Sequence, residues 1–324
     1  MTSLFRLAEE RGEELAQHEF EWWADPTDDV TRRRRGEAAR RCPCAAPGAL
    51  LPRTPSSESP LHTATHMLRT GKRGALFQLQ MALRDLRNSF ARIGLAWSLA
   101  RHDVGSRYRG SILGPFWITL SMGLMVLGIG FLYANLFGIA LDIFLPYVAL
   151  GIVFFGVMSG TINEGCETFV QASGMLSQTA LPMFTFVWRT VFRNLINLAH
   201  HLVIVVAVLV FYSYWKVADP LLALAGIVLM LLNASWVSML AGIASARFRD
   251  IPQIVVSVMQ FAIFMTPVFW LPDRFGKHQM FLDLNPFYHL LQAVRAPLMG
   301  QPVQPNTWLF LVAMATVGWG ATFL

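Results

Sequence analysis

Glu164 and Glu167 stand three residues apart, one helical turn, and a carboxylate pair so placed is what general acid and base chemistry uses. A cytosolic ion-pairing loop accounts for the same two residues without catalysis and is the preferred reading. Arg189, Arg193 and Asn197 recur every fourth position, so on a helix they share a face with His200 or His201. In an apolar segment that face is suited to meet an anionic substrate or to pair with Glu164 and Glu167; anchoring at the inner membrane surface is the simpler role for the two arginines. For Asn197 and the histidines a packing hydrogen bond between helices is preferred to proton relay. Gly71-Lys72-Arg73 and Gly276-Lys277-His278 lack the Ser or Thr and the upstream glycine of a phosphate-binding loop, so ATP hydrolysis is not expected on this chain. There is no serine nucleophile elbow, HExxH pair or dinucleotide glycine fingerprint. Cys42, Cys44 and Cys166 form neither a four-ligand metal spacing nor an even disulfide framework. No catalytic residue, cofactor or metal is therefore expected.

The elements that hold these residues follow from composition. Of 324 residues 54% are hydrophobic and 14% charged, against about 25% charged in soluble domains, which excludes a soluble enzyme. Residues 1–110 carry 18 of the 26 Lys and Arg and 13 of the 20 Asp and Glu, so a charged head precedes an apolar body. Residues 1–75 combine acidic Glu9, Glu10, Glu13 and Glu14, the run Arg32 to Arg35 and the Pro/Ser-rich stretch Pro43 to Pro60. They read as a disordered or mis-assigned N-terminal extension with no secretory signal. The net charge of +6 suits a cytoplasmic face near anionic membrane lipids, not nucleic acid.

Residues 76–110 are expected to form an amphipathic interface helix, because Leu79, Leu83, Leu86, Phe90, Ile93, Trp97, Ala100 and Val104 line one face between charged positions. The remainder, 111–324, reads as a transmembrane domain. Charge-free gaps of 32 residues after Arg109 and 21 after Asp142 each exceed the ~20 needed to cross the hydrocarbon core. Further spans are expected from Phe184 to Tyr214, Leu221 to Ala246 and Ile251 to Leu271, with a sixth beginning near Trp308 and either cut short or ending at the interface, since no basic anchor follows. The fold class is thus all-α integral membrane with six transmembrane helices. Asn285 and Pro286 open a further amphipathic segment reaching Gly300, striped by Leu290, Leu291, Val294 and Leu298 and interrupted by Arg295, too short to span and expected as an outer re-entrant helix between spans five and six. Ten Lys and Arg fall near inner span ends against four outside, which places both termini in the cytoplasm. Gly156 and Gly160 mark close helix approach in span two. Among the aromatics in and beside the spans, Trp117, Tyr133, Phe155, Phe261, Phe264, Phe269 and Trp270 are candidates to stack on sugar rings as a glycan channel lining.

Three stretches resemble the membrane subunits of ABC-2 type exporters of cell-surface polysaccharide, the O-antigen, lipopolysaccharide, capsule and teichoic acid permeases. They are Arg101-His102-Asp103-Val104 through Arg107-Tyr108-Arg109-Gly110-Ser111-Ile112-Leu113-Gly114-Pro115-Phe116-Trp117, then Ala246-Arg247-Phe248-Arg249-Asp250-Ile251, and Thr266-Pro267-Val268-Phe269-Trp270 with Leu284-Asn285-Pro286-Phe287-Tyr288-His289. The resemblance covers about residues 80–324. It implies a homodimeric permease in the bacterial inner membrane, bound to two copies of a separate ABC ATPase that carries ATP and Mg, with lipid-linked polysaccharide as cargo. It further implies that Arg101, Arg107 and Arg109 meet the lipid diphosphate, that Gln171, Ser173, Ser177, Gln178 and Thr179 belong to the segment coupled to the ATPase, and that Asn285, Pro286, Phe287, Tyr288 and Arg295 lie in the outer helix capping the channel. Members of this family usually continue past span six into a basic cytosolic end, which this chain lacks.

Two other readings fit parts of the sequence. A membrane-embedded acyl- or glycosyltransferase acting on lipid-linked sugars would draw on Glu164, Glu167, Asp250, His200 and His289, none of which has motif spacing. An ABC-2 exporter of a drug, haem or small lipid would keep the architecture and change the cargo.

Overall fold

The computed structural model describes residues 75–323 apart from 112, 113, 115, 179, 180 and 273–278, and its regular elements are all helices. The expected N-terminal extension lies outside the described residues except for Ala75, where the first helix begins. The amphipathic segment is not one helix but two, α1 (Ala75–Ala91) and α2 (Ile93–Arg107), parted at Arg92, whose φ of −109° and ψ of 22° leave the helical region. The break lets both pieces lie along a single partner, α6 (Met183–Phe211): Phe90 packs on Trp188 and Trp97 meets Phe192 edge-on.

Four helices among the described residues are long and apolar enough to cross a membrane. They are α3 (Phe116–Phe137), α4 (Leu141–Gln171), α6 and α7 (Pro220–Arg247). Helix α8 (Ile251–Met265) is apolar but has 15 residues, about 22 Å at 1.5 Å per residue, short of the ~30 Å core. Helix α11 (Pro305–Phe323) has 19 residues, or about 28 Å. Between these two come α9 (Gln279–Asp283) and α10 (Pro286–Leu298), while the six-residue α5 (Ser173–Gln178) follows α4.

Helix α4 is the axis of the fold. Its apolar window is 78% buried, against 17% for α3, so α4 is enclosed by protein while α3 turns most of its surface outward. Phe144, Leu150, Val153, Phe154 and Met158 fill the core around it. Small residues set how closely its neighbours approach. Gly165 faces the Ser238 side chain of α7, whose hydroxyl donates to the Thr161 and Ala234 carbonyls. On the opposite half of α7, Gly226 lies against the Ala293 carbonyl of α10, where a Cβ would strike backbone. Of the pair expected to mark close approach, Gly160 faces the Asn194 amide oxygen, whereas Gly156 has only ordinary contact with Met122 at 3.6 Å.

A second, smaller core joins the opposite ends of several elements: Phe169 of α4, Phe184 and Val187 of α6 and Met239 of α7 pack with Leu86 of α1, Leu176 of α5, and Trp319 and Phe323 of α11. Next to it the Asp85 carboxylate of α1 accepts the backbone N–H groups of Met183 (3.3 Å) and Phe184 (3.2 Å), capping α6 across nearly a hundred residues of chain. Two of the four orphan donors of α6 are met this way, and the negative charge sits at the positive end of the helix dipole. Asp85→Ala is therefore expected to lower stability by about 1 kcal/mol, read as a drop in thermal melting temperature of the detergent-solubilised protein, while exposed Arg84→Ala leaves it unchanged.

Candidate functional site

Helix α2 presents Ala96, Ala100 and Val104, spaced by four and at most 7% exposed, to α6. These small side chains bring the two backbones close enough for a polar cluster to form along their flank. Asp103 of α2 binds Arg189 of α6 in bidentate fashion, with Nε to Oδ2 at 2.6 Å and Nη2 to Oδ1 at 2.7 Å. Arg193, one turn on, reaches Asp103 Oδ2 at 3.4 Å and donates through Nε to Glu164 Oε2 of α4 at 2.8 Å. Asn194 donates to the same oxygen at 2.8 Å, and Arg107, in the last turn of α2, stands with Nη2 3.7 Å from Glu164 Oε1. One ionic cluster thus fastens α2 to α4 and α6.

The sequence-predicted pairing of the arginine face with Glu164 is realised, with two differences. Glu164 and Glu167 lie on continuous α4 helix and not on a loop, and they part company: Glu167 is exposed and accepts from Gln171 Nε2 at 2.7 Å. The helix runs on through Glu164 because its charge is met by Arg193 and Asn194. The amide in the cluster is Asn194, not Asn197, since position 194 adjoins Arg193 on the side facing α4. Asp103 went unrecognised because its partner lies 86 residues away; the local signal is its place beside the Ala96, Ala100 and Val104 stripe of an otherwise basic helix. Of the two histidines, His201 is 7% exposed and His200 half-buried, its Nδ1–H donating to the Ile196 carbonyl of its own helix at 2.8 Å.

The three arginines expected to meet a lipid diphosphate are all exposed. Arg107 belongs to the cluster yet keeps 51% of its side-chain surface. Arg101 and Arg109 make no ion pair among the described residues. Of the expected coupling segment, Gln171 ends α4, Ser173, Ser177 and Gln178 lie in α5, and Thr179 is outside the described residues. Leu176 ties α5 to the same small core as Leu86 of α1.

The aromatic candidates divide. Tyr133 stacks on Phe269 at 6.1 Å between centroids, Phe264 adjoins Phe269, and the Trp270 indole N–H donates to the Phe264 carbonyl. Phe261 and Phe264 are about two-thirds exposed on one side of α8, and Trp117 is 54% exposed at the start of α3. Phe155 is 3% exposed, its ring against Phe287 of α10, so it packs the core.

Helix α10 opens as expected at Asn285 and Pro286: the Asn285 side chain accepts from Phe287 N–H and donates to the Met265 carbonyl and Thr266 hydroxyl, joining the start of α10 to the end of α8. Its Arg295 is 2% exposed, bonds the Pro267 carbonyl at 2.7 Å and Gln292 Oε1 at 3.0 Å, and lies 3.8 Å over the Tyr147 ring. Tyr147 in turn donates its hydroxyl to the Pro267 carbonyl, so α4, α10 and the turn after α8 form one latched unit. Arg295 acts inside the fold and not on its surface.

Among the described residues, two of the groups singled out for acid and base chemistry are each engaged elsewhere. Glu164 is engaged by Arg193 and Asn194, and His289 is held by the Thr307 hydroxyl and the Asp283 carbonyl. Among the described residues no group of three or more His, Cys, Asp or Glu is placed to hold a metal ion.

The profile of the ABC-2 type transporter family matches residues 95–299, from α2 to just past α10. The O-antigen export system permease protein RfbA of Myxococcus xanthus is 23% identical over 222 residues, covering 66% of this chain and 84% of that protein.

Proposed function

The chain belongs to the ABC-2 type transporter family, as a multi-pass membrane protein, and from that premise we propose that it is the permease subunit of an ATP-driven exporter of lipid-linked polysaccharide. It works in the bacterial inner membrane as a homodimer, with both termini in the cytoplasm and ATP hydrolysis supplied by a separate ATPase subunit. In this reading α8 and α11 complete six spans and α10 is the outer re-entrant helix, its buried Arg295 keeping it against α4. The observation that carries the proposal is the ionic cluster: it binds α2 to α4 and α6 at the end of the bundle where α5 emerges, so a push from a partner on α5 reaches the interface helix through shared contacts. Closure of a nucleotide-driven partner would then shift the permease between closed and conducting arrangements. The relative's name supports a glycan cargo, as do the exposed Phe261 and Phe264 beside the Tyr133 and Phe269 stack. A polymer much longer than the membrane is thick calls for a continuous path through which it moves stepwise.

Deleting the gene tests this. Surface polysaccharide is expected to fall while finished lipid-linked polymer accumulates inside the cell. Shortened or unmodified glycan would point to a transferase, and no change in either pool would remove glycan as the cargo.

A further inference from the structure

We propose that α4 and α6 have two registers, one helical turn apart, and that a push on α5 drives α6 from one to the other. The inference rests on the reading of α5 as the segment a partner pushes, and adds what the push displaces.

The present register is antiparallel. Thr168 of α4 meets Thr190 of α6 hydroxyl to hydroxyl at 2.8 Å, and Glu164 meets Asn194 at 2.8 Å. Continued along both helices, the same register sets His201 opposite Val157. The His201 ring is 7% exposed, and neither Nδ1 nor Nε2 has a hydrogen-bond partner. A polar group enclosed without a bond disfavours the arrangement that encloses it, and the apolar Val157 side chain, 3% exposed, has no bond to offer.

A shift of three residues changes every pairing at once. Helix α4 carries Gly156, Gly160, Glu164, Glu167 and Gln171; α6 carries Val205, His201, Asn197, Asn194 and Thr190, with the same gaps of four, four, three and four in the opposite direction. Movement of α6 toward its own N-terminus by about 4.5 Å, with a roll of about 60°, brings these two rows into step. Asn197 then takes the place of Asn194 at Glu164, Asn194 comes to Glu167 and Thr190 to Gln171. Arg193 passes from Glu164 to Glu167, so its charge stays matched. His201 comes to Gly160, where no side chain excludes the ring. The neighbouring Thr161 hydroxyl, which donates to the Val157 carbonyl at 2.7 Å, still has lone pairs to accept with. Gly156, where an added Cβ would at present meet only Met122 at 3.6 Å, receives Val205. One-turn slides between packed elements are an established form of two-state change.

The elements packed on α6 travel with it. Asp103 keeps Arg189 and Arg193, Trp97 keeps Phe192, and the Asp85 cap stays on Met183 and Phe184. On the α2 side only the 3.7 Å approach of Arg107 to Glu164 is given up, and an exposed pair of that length contributes little. Residues 172–182 join the end of α4 to the start of α6, so the slide is taken up in the stretch that holds α5.

The test uses the full chain in bacterial membranes, with Cys42, Cys44 and Cys166 replaced by serine. Thr168→Cys/Thr190→Cys reports the present register and Gln171→Cys/Thr190→Cys the shifted one, each read as the initial rate of disulfide formation under copper phenanthroline. Both pairs are expected to form, the second more slowly. Glu164→Gln takes the charge that holds Arg193 in the present register, so it is expected to speed the second pair about fivefold or more and slow the first. Glu167→Gln is expected to do the reverse. His201→Leu removes the unbonded nitrogens from the present register and is expected to slow the second pair about fivefold. Misfolding does not produce opposite shifts from two such similar changes. No cross-link in the second pair in any variant, or equal rates in Glu164→Gln and Glu167→Gln, overturns the two registers. Amide hydrogen exchange across Ser173–Gln178 is expected to differ between those two variants, and identical exchange overturns the link to α5. If gene deletion leaves the glycan pools unaltered while the cross-links move as described, the cargo reading fails and the registers stand.

Discussion

Asp103→Ala is expected to lower the stability of the detergent-solubilised protein by about 3 kcal/mol. Removing one side of an enclosed ion pair costs about 3–5 kcal/mol because the other side stays behind without compensation, and some relief comes from the residual exposure of Asp103 and Arg189, 15% and 20%. Arg189 loses both of its bonds and Arg193 keeps only Glu164. Thermal melting followed by size-exclusion chromatography reads the loss. The double variant Asp103→Ala/Arg189→Leu is expected to recover much of it, since an apolar pair in the same place carries no stranded charge. If the double variant is as unstable as the sum of the singles, the two residues do not act as a pair.

The second large effect separates two chemically identical changes. Gly226→Ala is expected to cost about 2–3 kcal/mol, and Gly128→Ala nothing. At Gly226 the new Cβ meets the Ala293 carbonyl and the Val294 nitrogen, which are backbone and have no rotamer by which to move aside; overpacking of this type costs about 1–3 kcal/mol. At Gly128, on the outward α3, no atom lies within 4 Å of the added carbon, and alanine is the better helix former in water. Equal folded yields of the two variants, measured on the solubilised protein, would mean that α10 does not press on α7 as the structure has it.

The long apolar elements were legible from charge-free gaps, because buried charge enters them only toward one end. Where a gap ends, however, the helix need not: α4 continues past Glu164 to Gln171 since the carboxylate finds partners on α6. The same logic hid the site. Arg189 and Arg193 announce themselves by spacing, but Asp103 becomes meaningful only when α2 lies against α6. Phe155 was misplaced for a different reason. Helix α4 is enclosed on nearly every side, so its apolar residues show no stripe from which a channel face is told from a packing face. The break at Arg92 has no Pro to mark it, and Gly94 two residues on is the one local signal; the break accompanies the contacts of α1 with Trp188 and of α2 with Phe192.

The ionic cluster also fixes an order of events during synthesis. Asp103 and Glu164 precede their arginines, by 86 residues for Arg189 and 29 for Arg193. When α6 leaves the ribosome bearing two arginines and two histidines, a load that weakens its insertion into lipid, both carboxylates are already made and standing by at the membrane. Two carboxylates made early are thus in place to neutralise two arginines made late, and a chain that began after α4 is expected to insert α6 less efficiently.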